Sequence, residues 1–200
     1  MKISIIIINY FFLVYNYMSK IGILDPNAKY DNPLTKQPYK NIYDDPNKPK
    51  SEYVGKYTDF AKFWSNLPMY KQKTKEILKA FEENQVILIT AGTGAGKTVL
   101  VPKYLLHVFN YDKKIACTNP KKIPSEENAK YAAIHLDVNL GEEVGIRYRG
   151  KKLDSDKTKL LYCTDGYLVA TLKSDPLLSK FNGVIIDEAH ERNNNIDLLL

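Results

Sequence analysis

The amino-acid sequence predicts an α/β fold with a mainly parallel sheet and helices on both faces. Apolar runs of three to five residues, typical of buried strands, alternate with longer segments of helical periodicity. This alternation implies right-handed crossovers between parallel strands. Ligands of such sheets bind beyond the carboxyl ends of the strands, and the informative motifs of this chain follow its apolar runs at those points.

The alternating elements occupy the chain from residue 67 onward. Thr74, Ile77, Leu78 and Phe81 share one face of a helix, which predicts an amphipathic helix over 71–83. The other predicted helices are 97–109, 125–136 and 166–173, and the predicted strands are 86–89, 114–118, 160–163 and 184–186. No internal repeat is visible. Residues 66–200 therefore form the principal predicted domain.

The first 17 residues are apolar and carry Lys2 near their start. They lack the small-residue cleavage site of a secretory signal, and they are short for a spanning helix, which needs about 20 residues. Three interpretations stay open: an upstream extension before a start at Met18, a targeting segment, or a membrane segment. We expect no membrane association.

Residues 18–65 separate this segment from the predicted domain. Their early part is rich in Pro, Asn, Asp, Lys and Tyr, with few aliphatic residues. That composition predicts a poorly packed, extended arm. Aromatic residues at helical spacing within 52–65, among them Phe60 and Trp64, predict a short helix that packs against the domain. Base stacking by this aromatic cluster is the alternative.

Composition and charge limit the functional classes to which the chain can belong. With 200 residues, 44% of them hydrophobic and 26% charged, the chain has the make-up of a soluble globular protein. The formal net charge of +6 permits nucleic-acid binding without requiring it. Cys117 and Cys163 follow apolar runs and lack metal or redox spacing, so we expect reduced core cysteines in an intracellular setting.

A glycine-rich segment joins the predicted strand 86–89 to the predicted helix 97–109. Its glycines let successive N–H groups face one anion, and the helix N-terminus adds the positive end of its dipole. Lys97 can reach the β and γ phosphates of a nucleotide, and the Thr98 hydroxyl can coordinate Mg²⁺. A glycine-rich turn without a ligand is the alternative. The predicted nucleotide-binding residues are Ala91, Gly92, Thr93, Gly94, Ala95, Gly96, Lys97 and Thr98.

Two adjacent carboxylates follow the predicted strand 184–186. Asp187 and Glu188 repel each other and resist desolvation unless positive charge lies nearby. A magnesium–triphosphate at the glycine-rich loop would supply that charge. We expect Asp187 to face Mg²⁺ through water and Glu188 to polarise the attacking water, with Thr98, Asp187 and Glu188 as the metal-linked set. An acidic loop that caps the next helix is the alternative.

Four motifs in order, "AGTGAGKT", "TNPKK", "TDG" and "DEAHER", resemble those of the DEAH-box helicases of superfamily 2. The resemblance covers residues 66–200. It implies the N-terminal RecA-like P-loop NTPase domain of an ATP-dependent RNA helicase. The Lys-, Asn- and Ile-rich composition indicates an AT-rich genome, such as that of a large DNA virus.

The resemblance also implies roles for individual residues. Asp187 and Glu188 are the metal-linked and catalytic acids, and His190 couples the nucleotide site to a second domain. Tyr131 stands where the family commonly has an arginine that stacks on adenine, and a tyrosine could also stack. ATP, or another nucleoside triphosphate, and Mg²⁺ are the implied cofactors. The implied contacts to the backbone of single-stranded RNA, or of DNA, are Thr118, Pro120, Lys121, Lys122, Arg149, Thr164, Asp165 and Gly166.

The second RecA-like domain of the family is missing from these 200 residues. We therefore expect the fragment alone to bind ATP weakly and to hydrolyse it poorly, because arginines of the second domain complete the site. The alternative is a catalytically idle nucleic-acid- or protein-binding fragment that retains the nucleotide site. A P-loop ATPase outside the helicases is a third hypothesis. The expected location is cytoplasm or nucleus, or the host cytoplasm or virion for a viral protein.

Overall fold

A seven-stranded sheet with helices on both faces forms the centre of the molecule. The structure is a computed structural model and describes residues 2–8, 22–27, 29–44 and 55–200. The strand order is β2-β1-β7-β3-β6-β4-β5. The strands are β1 (Lys2–Ile8), β2 (Val86–Ala91), β3 (Ile115–Asn119), β4 (Val144–Tyr148), β5 (Lys151–Leu153), β6 (Leu160–Thr164) and β7 (Gly183–Ile186).

The directions of the strands confirm a mainly parallel sheet. β3 pairs in parallel with β6 and β7, and β4 pairs in parallel with β6. β5 returns antiparallel to β4 as the second strand of a hairpin. β1 is antiparallel to both β2 and β7, so those two strands run in the same direction. Their carboxyl ends therefore lie at the same edge of the sheet.

β1 comes from the apolar N-terminal segment. The sequence indicated no place for residues 1–17 in the domain, whereas residues 2–8 form an inner strand of the sheet. The isoleucines explain this, because β-branched side chains favour strands and a doubly covered strand is apolar on both faces. Residues 1 and 9–17 lie outside the described residues.

Six α-helices connect and cover the described strands. α2 begins earlier than predicted because Pro68 occupies its first turn, where no N–H donor is needed. α4 also begins earlier than predicted, with Pro124 in its first turn. Among the described residues, no helix combines the length and apolar character that crossing a membrane requires. The helices are α1 (Tyr57–Ser65), α2 (Pro68–Glu83), α3 (Lys97–Val108), α4 (Lys122–Leu136), α5 (Asp165–Leu172) and α6 (Asn194–Leu199).

Two apolar clusters hold the layers together. The larger one joins helices α1–α4 to the sheet and includes Trp64, Tyr104 and Tyr162. The smaller one joins α5 and α6 to the opposite face. Cys117 and Cys163 are both buried and free, as the sequence predicted. These clusters confirm the expected α/β architecture with helices on both faces.

The described part of the arm is packed, contrary to the sequence prediction. Ile23 and Asn32 are buried, and the ring of Tyr39 stacks on that of Tyr57 with centroids 3.9 Å apart. The buried carboxylate of Asp137 accepts hydrogen bonds from three consecutive backbone N–H groups of the arm, at 2.7, 3.0 and 2.8 Å. Tertiary hydrogen bonds thus replace the regular secondary structure that the composition disfavours. Residues 18–21, 28 and 45–54 lie outside the described residues.

Candidate nucleotide and nucleic-acid site

The glycine-rich loop connects the end of β2 at Ala91 to the start of α3 at Lys97. Gly94 and Gly96 have φ angles of +78° and +103°, a region that favours glycine. A Cβ atom on Gly96 would lie 2.8 Å from the Cδ1 atom of Leu67, so close packing also requires glycine there. The loop conformation therefore depends on these two glycines.

The loop leaves space on its outer side. A Cβ atom added at Gly92 or Gly94 would meet nothing within 4 Å. Thr98 is exposed, while Lys97 is buried and its Nζ atom lies 3.4 Å from the carbonyl oxygen of Ala91. The lysine side chain thus folds back over the loop, and the open backbone can accommodate an anion at the N-terminus of a twelve-residue helix.

The acidic pair begins where β7 ends. Asp187 is buried, and its Oδ1 atom accepts hydrogen bonds from the Ser4 hydroxyl at 2.7 Å and from the Glu188 N–H at 3.0 Å. Glu188 adopts a φ of +54°, which is uncommon for a residue other than glycine. Its Oε2 atom lies 3.3 Å from Nε2 of His190, on the short 3₁₀ helix Ala189–Glu191. The turn thus presents two acids and a histidine in sequence.

The glycine-rich loop and the acidic pair lie at one edge of the sheet. Ala91 at the end of β2 is the register partner of Lys2, and Ile186 at the end of β7 is the partner of Ile5 on the same strand. Since neighbouring strands lie about 4.8 Å apart, one intervening strand separates β2 from β7 by roughly 10 Å. The register places Ile186 level with Leu88, so β2 continues for three residues, or roughly 10 Å, beyond the level at which β7 ends.

Oxygen donors dominate this edge. The Thr98 hydroxyl and the Asp187 carboxylate are hard ligands of the kind that Mg²⁺ prefers, and Mg²⁺ usually takes its remaining ligands from phosphate and water. Among the described residues, no group of three His, Cys, Asp or Glu side chains is placed to hold a metal ion alone. The donor set therefore fits a magnesium ion that arrives with a nucleotide.

The predicted nucleic-acid residues gather at the neighbouring strand ends. Thr118 lies at the end of β3, and Thr164, at the end of β6, is paired with Asn119. Thr118 and Asp165 are buried, and burial raises the pKa of Asp165. Contact of Thr118 and Asp165 with nucleic acid stays a prediction. At the ends of β3 and β6, the exposed members of the set are Lys121, Lys122 and Gly166, with Pro120 half-buried.

Two contacts join this surface to the turn after the acids. The Lys121 Nζ atom lies 3.2 Å from Oε1 of Glu191, and the Asn193 Nδ2 atom donates to Oδ2 of Asp165 at 3.2 Å. Asn193 also caps α6 by accepting from the Ile196 N–H. Glu191 and Asn193 are not among the residues predicted from the sequence, although an asparagine before an apolar helical run is a recognisable cap signal.

Comparison with known proteins decides the family. The model of the DEAD/DEAH box helicase family matches residues 71–197, which is more than half of the chain. The chain belongs to the DEAD/DEAH box helicase family. This membership confirms the resemblance carried by the four motifs and supports a helicase-type nucleoside triphosphatase domain.

Two relatives extend the match beyond the family model. A protein of Acanthamoeba polyphaga mimivirus, named as the ATP-dependent RNA helicase L540, is 43% identical over 186 residues. The ATP-dependent RNA helicase HrpA of Borreliella burgdorferi is 42% identical over 135 residues. These alignments cover 92% and 67% of this chain but only 25% and 16% of the relatives. The helicase domain described here thus corresponds to a minor part of each relative.

Arg149 and Tyr131 complete the predicted set. Arg149 is exposed in the turn directly after the carboxyl end of β4, which runs parallel to β6. The neighbouring Arg147 is instead held by both carboxylate oxygens of Asp154, at 2.6 and 2.8 Å. Tyr131 lies on α4 with its ring 4.2 Å from the imidazole of His135, centroid to centroid. Adenine stacking by Tyr131 and phosphate contact by Arg149 stay predictions.

Proposed function

We propose that this chain is the ATP-binding half of an ATP-dependent RNA helicase. The observation that carries the proposal is the placement of the glycine-rich loop and the acidic pair at one edge of the sheet, on strands β2 and β7 that run in the same direction. Such an edge is where α/β proteins bind their ligands. In the intact enzyme, nucleotide hydrolysis would drive movement along a single strand.

Each residue of this edge has a defined task in the proposal. The N–H groups of the loop and the Lys97 ammonium bind the phosphates. Thr98 and Asp187 would hold Mg²⁺, which supplies charge neutralisation at the phosphates when bound. Glu188 orients the attacking water and accepts its proton. His190 contacts Glu188 and lies on the turn whose Glu191 contacts Lys121. We call the exposed residues Lys121, Lys122 and Gly166 the nucleic-acid surface.

The nucleic-acid surface binds sugar and phosphate in the proposal. Lys121, Lys122 and the exposed backbone at Gly166 offer positive charge and N–H donors without base-edge readers. Contacts of this kind bind all sequences alike. We infer single-stranded RNA as the substrate, because both relatives are named as RNA helicases. Full turnover requires the second RecA-like domain that the family resemblance implies.

Replacement of Lys97 by alanine tests the nucleotide site. Lys97→Ala removes charge-assisted hydrogen bonds to the phosphates, so we expect the affinity for a fluorescent ATP analogue to fall by about 10- to 100-fold. Lys113→Ala, which removes an exposed lysine beyond α3, is the matched control and should bind like the parent. Equal affinities of the parent and Lys97→Ala would contradict the assignment of the phosphate loop.

A further inference from the structure

The turn after the acids, residues 188–192, is a compact unit that carries two glutamates. Its centre is the 3₁₀ helix Ala189–Glu191, and its end residues, Glu188 and Arg192, adopt left-handed φ angles of +54° and +46°. The N–H of Glu191 donates to the carbonyl oxygen of Glu188 at 2.9 Å. Because this bond closes the turn, the backbone positions of the two glutamates are linked directly.

The Glu191 side chain reaches the nucleic-acid surface. Its Oε1 atom lies 3.2 Å from Nζ of Lys121, although 70 positions separate the two residues. The Lys121 backbone is held beside the start of α4, where its N–H donates to the side-chain oxygen of Asn119 at 3.2 Å. The Lys121 side chain, in contrast, is 66% exposed, so its ammonium group is open to other anions.

A phosphate of a bound strand and the Glu191 carboxylate would compete for this one ammonium group. Two anions beside the same lysine repel each other. An exposed ion pair is weak, because water and salt screen its charges, so a phosphate can displace the carboxylate. The phosphate therefore gains its full contact with Lys121 only when Glu191 moves away.

We propose that the Lys121–Glu191 contact is a regulatory contact, in which Glu191 holds Lys121 until the phosphate of a strand replaces it. Strand binding then releases Glu191 from the surface. Through the closed turn, the release reaches Glu188 and His190, whose Oε2 and Nε2 atoms lie 3.3 Å apart. The inference rests on the proposed nucleic-acid binding at Lys121.

The affinity for single-stranded RNA tests the competition. Glu191→Gln keeps the size of the side chain and removes its charge, so the Kd of a mixed-sequence RNA oligonucleotide should fall about threefold at about 0.1 M salt. Glu127→Gln is the matched control, because this exposed glutamate of α4 contacts Lys130 at 2.9 Å. Its Kd should stay within about 1.5-fold of the parent's. In fluorescence anisotropy, a Kd of Glu191→Gln equal to the parent's or higher overturns the proposal.

Removal of one lysine at a time shows whether Glu191 acts through its contact. In Lys121→Ala the partner is gone, so adding Glu191→Gln should change the Kd by no more than about 1.5-fold. Lys122, whose Nζ atom lies 5.5 Å from the centre of the Tyr148 ring, provides the control background. In Lys122→Ala, adding Glu191→Gln should still lower the Kd about threefold. Equal effects in the two backgrounds would mean that Glu191 acts through general charge, which overturns the proposal.

Inorganic phosphate gives a readout that needs no strand. At constant pH, phosphate should shift the NMR signal of the Lys121 side chain, with a half-saturation concentration about threefold lower in Glu191→Gln. The imidazole signal of His190 should follow the same titration in the parent and stay unchanged in Glu191→Gln, where the contact is already absent.

The two titrations separate this inference from the proposed function. A parent chain that binds phosphate but no RNA would refute the proposed nucleic-acid binding, and the phosphate titration would still decide on Glu191. Equal half-saturation in the two chains, an equal shift of His190 in both, or no phosphate response at Lys121 in either chain overturns the inference.

Discussion

Lys103 shows what burial does to a single residue. This lysine of α3 is 1% exposed, and its Nζ atom donates to the carbonyl oxygen of His135 at 2.8 Å and lies 5.0 Å from the ring of Trp64. The last carbonyls of a helix lack partners within the helix, so Lys103 satisfies one of them near the end of α4. Desolvation lowers the pKa of Lys103 to about 7.

The depressed pKa makes stability depend on pH. Between the pKa of about 7 in the folded chain and about 10.4 in the unfolded chain, the unfolded state binds the extra proton, so stability rises with pH. Lys103→Met removes this dependence. From about pH 6.5 to about pH 9.5, the free energy of unfolding of the parent should therefore rise by about 3 kcal/mol relative to Lys103→Met.

Urea unfolding at the two pH values measures this difference. Lys113→Met serves as control, because it replaces an exposed lysine and leaves the buried Lys103 in place. If Lys103→Met and the parent keep a constant difference in stability across the window, Lys103 is protonated in the folded chain at both pH values.

At the scale of the elements, the end of α4 organises the arm. Asp137 caps this helix in the left-handed conformation and accepts three backbone N–H groups from residues 40–42. Asn32 adds a hydrogen bond from its Nδ2 atom to the carbonyl oxygen of Leu136 at 2.8 Å. Asp137 therefore joins the end of α4 to the arm, which have no β pairing between them. It can do so because its side chain is short and polar and its backbone tolerates a positive φ.

Asp137→Asn should detach the arm while preserving the cap. Asparagine tolerates the left-handed conformation. Its amide group, however, has one oxygen acceptor where aspartate has two, and its NH₂ group would face backbone N–H donors of the arm. We expect the free energy of unfolding to fall by about 1.5–3 kcal/mol and proteolysis near residues 40–44 to accelerate. Urea unfolding and limited proteolysis measure the two effects. Asp156→Asn, an exposed control, should change neither, and equal behaviour of the two variants would contradict the role of Asp137.

At the scale of the whole molecule, the proposed nucleic-acid binding rests on net charge and on exposed surface. The net charge is +6, and Lys121 and Lys122 are exposed where α4 begins, beside the strand ends. The contact between Lys121 and Glu191 connects this surface to the turn after the acids. A phosphate bound at Lys121 would compete with Glu191 and so act directly on that turn.

The double variant Lys121→Ala, Lys122→Ala should weaken single-strand binding for all sequences alike. Loss of two phosphate contacts should lower the salt slope of the affinity by roughly 1.4 on single strands. Fluorescence anisotropy with RNA oligonucleotides of two base compositions, at several salt concentrations, measures both quantities. Lys71→Ala, Lys75→Ala removes the same charge from the exposed face of α2 and is the control. A loss confined to one sequence would argue against backbone contact.

Local sequence patterns were sufficient for the fold class and for the motifs of the site. Three features depend only on residues that are neighbours in the sequence, so their patterns can be recognised there. They are the glycines before α3, the buried strand before Asp187 and the proline in the first turn of α4. The burial of Thr118 and Asp165 was not readable in the same way, because side-chain exposure depends on which elements pack above a strand end.

The sequence alone determined an α/β domain, because strand and helix periodicity are local properties, and its motifs were sufficient for the resemblance to helicases. Only the tertiary structure decided that residues 2–8 form an inner strand, that Ser4 meets Asp187, and that the arm binds Asp137. The partners in the last two contacts lie 183 and 95–97 positions apart along the chain. Contacts at such separations depend on how the whole chain packs, and no pattern of neighbouring residues encodes them.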